Sequence, residues 1–139
     1  MGAEPLDVII VEIGERRFAV DLDLVEEVVP LGPITPVPSA PPVVVGAVNV
    51  RGEVCPVLHL ERAPGVDCPS PAQPRRGQAG LLTSAAGYRA VLYTRRLREV
   101  ARLEPGDQEV ELLDPGALLL DCAAQMSMAA AGDAGVVDP

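Results

Sequence analysis

Short stretches of apolar residues, continuous or alternating with polar ones, recur along the chain and are separated by turn-forming residues. Leu6 to Ile13 (LDVIIVEI) is rich in Val and Ile, which predicts a strand. Gly14-Glu15 follows, with glycine first as a two-residue type II′ turn prefers. Arg17 to Asp21 (RFAVD) alternates, as a half-buried strand does. Asp23 to Val28 reads as a short helix. Asp23 is the N-cap, Glu26 sits at capping-box spacing, and Val25, Val28 and Leu24 share a helical face. Residues 30–42 hold six prolines and form an extended connection, because proline cannot donate to a ladder. Residues 43–50 (VVVGAVNV) and 53–60 (EVCPVLHL) pair about an Arg51-Gly52 turn. Gly46 marks a bulge or a close backbone approach, and Pro56 an edge or bulge position. Residues 61–78, with four prolines and two glycines, are a loop. Gly80 to Ser84 and Tyr88 to Thr94 form a second hairpin turning at Ala86-Gly87. Leu97 to Leu103 alternates, Pro105-Gly106-Asp107 turns, and Val110 to Leu113 is a last short strand. Asp114-Pro115, an N-cap acid with proline at N1, opens a helix over 115–131 that Gly132 ends. Residues 133–139 are frayed.

A chain of 139 residues that is 48% apolar folds as one compact domain or two very small subdomains. Its formal charge is −9, it has no lysine, and only 2% of its residues are aromatic. No nucleic-acid contact is expected, because phosphate recognition needs clustered cations and base stacking needs aromatic platforms. The charge is uneven. Residues 75–102 carry seven arginines against Glu99, whereas both flanking stretches are acidic. Either these surfaces attract one another within the fold, or the arginines face an acidic protein partner. No apolar run reaches the roughly 18 residues that span a bilayer. The first residues lack the basic and apolar regions of a secretory signal, and position 6 breaks the myristoylation pattern. Cys55, Cys68 and Cys122 are far apart and His59 is the sole histidine, so no zinc-site spacing exists. The composition predicts a cytoplasmic protein with free thiols, no metal, no cofactor and no direct membrane insertion.

No set of residues in the sequence forms a catalytic constellation. Asp21, Asp23, Glu26 and Glu27 read as a cap plus a solvated helix face rather than an acid–base or metal site. His59 lies at a strand position without a nucleophile motif and reads as a surface or packing histidine. Ser84 and Ser127 lack the G-x-S-x-G context, no phosphate-cradling glycine loop is present, and Cys55 reads as an inert buried thiol. These absences point to a binding module and not to an enzyme.

The stretch GAVNVRGEVCPVLHL (46–60) resembles the signature of CheW-like domains, the adaptor modules of bacterial chemosensory arrays. Gly46, Asn49, Arg51, Gly52, Pro56 and Leu60 match it, and His59 stands where the family usually has Asp. The Gly14 turn, Phe18 and the proline-bounded link agree, and the match runs from about residue 7 to 62. In the second half, residues 87–92 resemble the family's second hairpin and residues 110–114 its closing strand. Leu92-Tyr93-Thr94-Arg95-Arg96 departs from the pattern, and most of a long segment between Val100 and Glu109 is missing. The resemblance implies a mainly β fold of SH3-type barrels. A first barrel subdomain spans about 6–62 and is complete. A reduced, truncated second subdomain spans 79–113, and the C-terminal helix covers edges that would otherwise be exposed.

The resemblance further implies a non-catalytic adaptor that holds a chemoreceptor (a methyl-accepting protein) by its cytoplasmic helical hairpin in an apolar groove. The groove residues it carries over are Val25, Glu27, Gly46, Arg51, Gly52, Leu81 and Leu118. Val and Leu supply the contact of a helix in a groove, and Arg51 a directional charge or a brace for its own turn. Gly46 and Gly52 serve backbone geometry. The truncation implies weakened coupling to the histidine kinase, a shortening that resembles the short adaptor of the frizzy system of gliding bacteria. An ordinary adaptor that engages receptor and kinase is the alternative within the class. A small β-barrel enclosing a ligand is the alternative outside it.

Overall fold

A computed structural model describes residues 5–66, 68–104, 106 and 110–125. Among these residues nine strands form two sheets: β1 (Leu6–Ile13), β2 (Arg16–Asp21), β3 (Val25–Pro30), β4 (Val44–Val50), β5 (Glu53–His59), β6 (Ala79–Ala85), β7 (Tyr88–Tyr93), β8 (Leu97–Leu103) and β9 (Glu111–Leu113). One sheet has the order β8-β1-β2-β9 and the other β3-β6-β7-β5-β4. A helix, α1, occupies 115–125. Its N-terminus forms as expected, with the Ala117 amide donating to Asp114 Oδ1 at 3.1 Å. The remainder of the expected helix, 126–131, lies outside the described residues.

Local chemistry sets most of these elements. Gly14 takes a positive φ of 63° and Glu15 does not, while Ile13 pairs with Arg16, so the turn is of type II′. Arg51-Gly52 and Ala86-Gly87 both have positive φ at each residue and join Val50 to Glu53 and Ala85 to Tyr88, the type I′ geometry that matches strand twist.

β1 is apolar almost throughout because both its faces are covered. Ile9, Val11 and Ile13 enter a central core, together with Phe18, Leu58, Leu81, Leu92, Leu119 and Cys122. Val8 and Ile10 point the other way, into a small core with Ala19. β7 does the same. Ala90 and Leu92 join the central core, whereas Val91 and Tyr93 join a second core with Val29, Leu31, Val48, Cys55 and Val57. Strands buried on both faces read as continuous apolar runs.

Three expectations need correction. Residues 23–28 are not a helix. A single 3₁₀ turn, Leu22–Leu24, is capped by Asp21 instead of Asp23, and the chain then enters β3. Val25, Val28 and Val29 are β-branched and suit a strand, and β6 supplies the partner that local capping signals cannot reveal. Nor do the sheets divide along 6–62 and 79–113. β1 and β2 pair with β8 and β9, and β3, β4 and β5 pair with β6 and β7, so each sheet draws on both ranges. Pro56 sits on an interior strand instead of an edge. It opposes Ala47, whose own N–H and C=O are turned outward to Thr35 at 2.8 and 2.9 Å. The position therefore needs no donor toward β4.

Candidate functional site

The seven residues carried over by resemblance fall into three places. Glu27 and Arg51 meet between β3 and the β4–β5 turn, the two edges of the five-stranded sheet, with Gly52 beside Arg51 in that turn. The register shifts between Val25 and Glu27 where β3 pairs with β6, a bulge that adds Glu26 and re-aims its neighbours. Glu27 then forms an ion pair with Arg51. Arg51 has a φ of 51°, and Gly52 N–H donates to Asn49 Oδ1 at 2.7 Å. Arg51 thus reaches across to another strand, in addition to standing in its turn.

Val25 is half-buried at the start of β3 and, like Leu118 on α1, packs against the central core. Leu81 is only 1% exposed, so it supports a surface instead of presenting one. Gly46 is buried on β4, where a Cβ would meet Ile34 Cγ2 at 2.4 Å and the Thr35 carbonyl oxygen at 2.6 Å. Both readings of this glycine hold, because the β4–β5 register also shifts there.

Beside these residues lies a feature that sequence reasoning missed. A cleft of about 270 Å³ opens between α1 and the sheet. Val44, Pro56 and Leu58 form its floor, Leu119, Cys122 and Ala123 its helical wall, and Tyr88 and Arg89 its rim. Burial pushes the Cys122 thiol up, and the neighbouring Asp121 adds to this, so the wall stays uncharged. A shallower depression of about 660 Å³ shares Tyr88 and Arg89 and continues past Leu24, Glu53 and the β6–β7 turn. The signals for the cleft were present as Pro56, Tyr88 and the apolar positions of α1, but their meeting depends on the helix docking against β4 and β5.

The rim is electrostatically fixed. Arg89 Nε donates to Glu26 Oε2 at 2.9 Å, and its guanidinium also pairs with Glu53. The Ser84 hydroxyl donates to Glu26 at 2.6 Å. Ser84 first and Arg89 second lower the Glu26 pKa, and the two carboxylates raise that of Arg89. Other arginines of 75–102 are likewise matched by acids. Arg95 pairs with Glu61, Arg96 and Arg98 with Glu12, and Arg102 with Asp7. Of the two readings of this basic stretch, attraction within the fold is the one these contacts support.

His59 is a packing residue. It is fully buried and makes an edge contact with Tyr93 at 4.9 Å between ring centres. The Cys55 thiol is also buried and is pushed up mainly by desolvation, and all three cysteines are unbridged. Among the described residues no group of His, Cys, Asp and Glu could hold a metal ion, and no helix is long and apolar enough to cross a membrane.

Two small sheets about a shared core, with an open apolar cleft against a terminal helix, define a β scaffold of the kind that offers a surface to partners. The chain belongs to the CheW-like domain family, whose profile matches residues 7–121. It is 38% identical over 60 residues to the chemotaxis protein CheW of Thermotoga maritima, covering 43% of this chain and 40% of that one. It is 31% identical over 87 residues to the chemotaxis protein CheW of Rhizobium meliloti, covering 57% and 56%. The chain thus spans about half the length of the curated relatives it matches. The solved structure of the scaffolding protein TtCheW from Thermoanaerobacter tengcongensis superposes with a TM-score of 0.58 at 25% identity, covering 72% of this chain and 66% of that one. The family is one of non-catalytic chemotaxis scaffolds, which agrees with the reading of this chain as a binding module.

Proposed function

We propose that this protein is a cytoplasmic chemosensory adaptor that seats the helical hairpin of a chemoreceptor in the cleft between α1 and the β4–β5–β7 surface. The observation that carries the reading is the lining of that cleft. Its floor and walls are apolar, it opens on one side to solvent, and a charged rim of Arg89, Glu26 and Glu53 lies beside it. An amphipathic helix places its apolar face in such a groove and its polar face along such a rim. The pair Glu27–Arg51 and the Gly52 turn flank the same sheet, and Leu118 stands beside Leu119 on the helix. Val25, Gly46 and Leu81 set the backbone and core beneath. An open cleft disfavours the alternative of a barrel closed around a small ligand.

Kinase coupling is weakened in this reading. The sheet β8-β1-β2-β9 has a three-residue strand at one edge and, among the described residues, covers on its outer face a core whose fully buried members are Val8, Ile10 and Ala19. Val100 and Leu112 stand 62% and 58% exposed on its edge strands. A small, open-edged sheet supports the view that one face for a CheA-type histidine kinase is reduced. An ordinary adaptor engaging both partners is the competing reading. The likeness to the short adaptor of the frizzy system rests on this shortening alone.

Amide-shift mapping on the isotope-labelled chain tests the placement. Addition of a receptor cytoplasmic hairpin is expected to move Val44, Leu58, Tyr88, Leu119 and Ala123. Shifts confined to other surfaces, with these residues unmoved, overturn it.

A further inference from the structure

The loop after β5 is held by a buried polar clasp. The Ala72 backbone is gripped at both of its polar atoms. Its N–H donates to Glu61 Oε1 at 3.0 Å, and its C=O faces His59 Nε2 at 2.5 Å. A carbonyl oxygen can only accept, so Nε2 carries the proton. The other ring nitrogen faces the Glu61 backbone N–H at 3.3 Å, which can only donate, so Nδ1 is the bare acceptor. These two partners fix a neutral ring in one tautomer. Glu61 is as constrained. Its Oε2 accepts from Arg95 N–H at 3.0 Å and from the Thr94 hydroxyl at 3.2 Å. The outer ends of the loop are tied separately, through Arg16 to the carbonyls of Gly65 and Val66 and through Gly77 N–H to Leu31.

We propose that residues 68–76 form an acid-released strap, latched at Ala72 by neutral His59 and ionised Glu61. Protonation of His59 would put an N–H on Nδ1, donor against donor at Glu61 N, and a ring that turns away from that clash also leaves the Ala72 carbonyl, although the Nε2–H bond to that carbonyl by itself favours the charged ring. The charged and titratable groups facing the ring are Glu61 and Arg62 from the turn after β5, Tyr93 and Arg95 from β7 and its end, and Cys68 from the strap. Arg62 and Arg95 oppose a positive ring. Glu61 favours one, but its oxygens are already engaged by Arg95, Thr94, Ala72 and the Cys68 thiol. Burial, the largest influence, also holds the imidazole below its ordinary pKa. Burial raises the Glu61 pKa, but the Arg95 and Ala72 amides that its oxygens accept from, with the Arg95 charge, outweigh it and hold the carboxyl below its ordinary 4.5. Above pH 4.5 Glu61 therefore keeps its charge, and in that range the latch is weakened only through His59.

The test is amide hydrogen exchange at Ala72 on the whole chain, corrected for the intrinsic pH effect. Once open, an ordinary imidazole of pKa about 6.5 draws the strap open by up to about thirtyfold between about pH 7.5 and pH 5.0. A loss of Ala72 protection of tenfold or more is expected over that range, with Val8 and Ile10 amides staying more protected than Ala72 at both values, as a local opening requires. In His59→Asn the protection should be lower at neutral pH and flat between the two values. Long-range nitrogen correlation spectra of the wild-type ring should show an unprotonated Nδ1 at neutral pH, a reading that stands even if the variant does not fold. Ala72 protection that changes less than about twofold in the wild type, or a ring protonated at Nδ1, overturns the proposal.

Discussion

Gly46 and Glu61 show how much of this protein rests on single positions. Gly46 lies where the segment carrying Ile34 and Thr35 presses onto β4, and its φ of 154° falls in the region glycine favours. Gly46→Ala is expected to cost about 1–3 kcal/mol, through overpacking against backbone that cannot yield. Chemical denaturation measures it, and a change of a few tenths would mean that the segment moves freely. Glu61→Ala strands the Ala72 and Arg95 amides and the Thr94 hydroxyl, and should cost about 3 kcal/mol by the same assay. The pH dependence has a definite sign. The folded Glu61 pKa lies below its ordinary 4.5, so its contribution is complete above that value and is lost as pH falls through the folded pKa. The folded His59 pKa lies below 6.5. The unfolded chain therefore takes up that proton first, and stability declines as pH drops below 6.5. Denaturation midpoints should fall on acidification in both windows, and His59→Asn should flatten the upper one. Gly46 was legible as a bulge or a close approach because glycine inside a strand has few other uses. Glu61 was not legible, since a carboxylate in a proline-rich stretch resembles a solvated charge until its partners from β7 and the loop close on it.

At the scale of elements, the strands were legible wherever periodicity and turn chemistry agreed. β1 and β8 fall at their expected bounds, and the hairpin turns at Arg51-Gly52 and Ala86-Gly87 are where glycine placed them. β3 was missed because Asp23 and Glu26 imitate a capping box, while the deciding interaction is the β6 strand more than fifty residues away. The order of strands was hidden for the same reason, since β5–β7 and β2–β9 are parallel pairs made at long range. The Glu27–Arg51 pair joins β3 to the β4–β5 turn, yet both partners are substantially exposed, with side chains 41% and 65% accessible. Solvent screening makes such a pair worth less than about 1 kcal/mol. Arg51→Ala should therefore leave the thermal midpoint within a few degrees of wild type. A larger fall would show that the residue braces its turn, and any binding defect in that variant could then not be assigned to direct contact.

For the molecule as a whole, the class of protein was legible in the 46–60 hairpin and in the absence of catalytic constellations, and the CheW-like profile over 7–121 bears this out. The cleft itself was not legible, because it exists only where α1 docks beside β4 and β5. Its floor is held by core residues that cannot be altered without unfolding cost, so the informative probes are at its wall and rim. Ala123 is half-buried on the wall, and Tyr88 is 46% exposed at the rim. Ala123→Glu places a charge where an apolar helix face would sit, and Tyr88→Ala removes aromatic contact area. Each should weaken hairpin binding about tenfold or more while leaving the fold intact by circular dichroism. The decisive measurement is calorimetric titration of the wild-type chain and Ala123→Glu with a receptor cytoplasmic hairpin, repeated with the kinase's own CheW-like regulatory domain. The account predicts receptor binding by the wild type, its loss in Ala123→Glu, and kinase binding that is weak in both. Equal receptor affinity in wild type and variant, or no receptor binding by a folded wild-type chain, would contradict it.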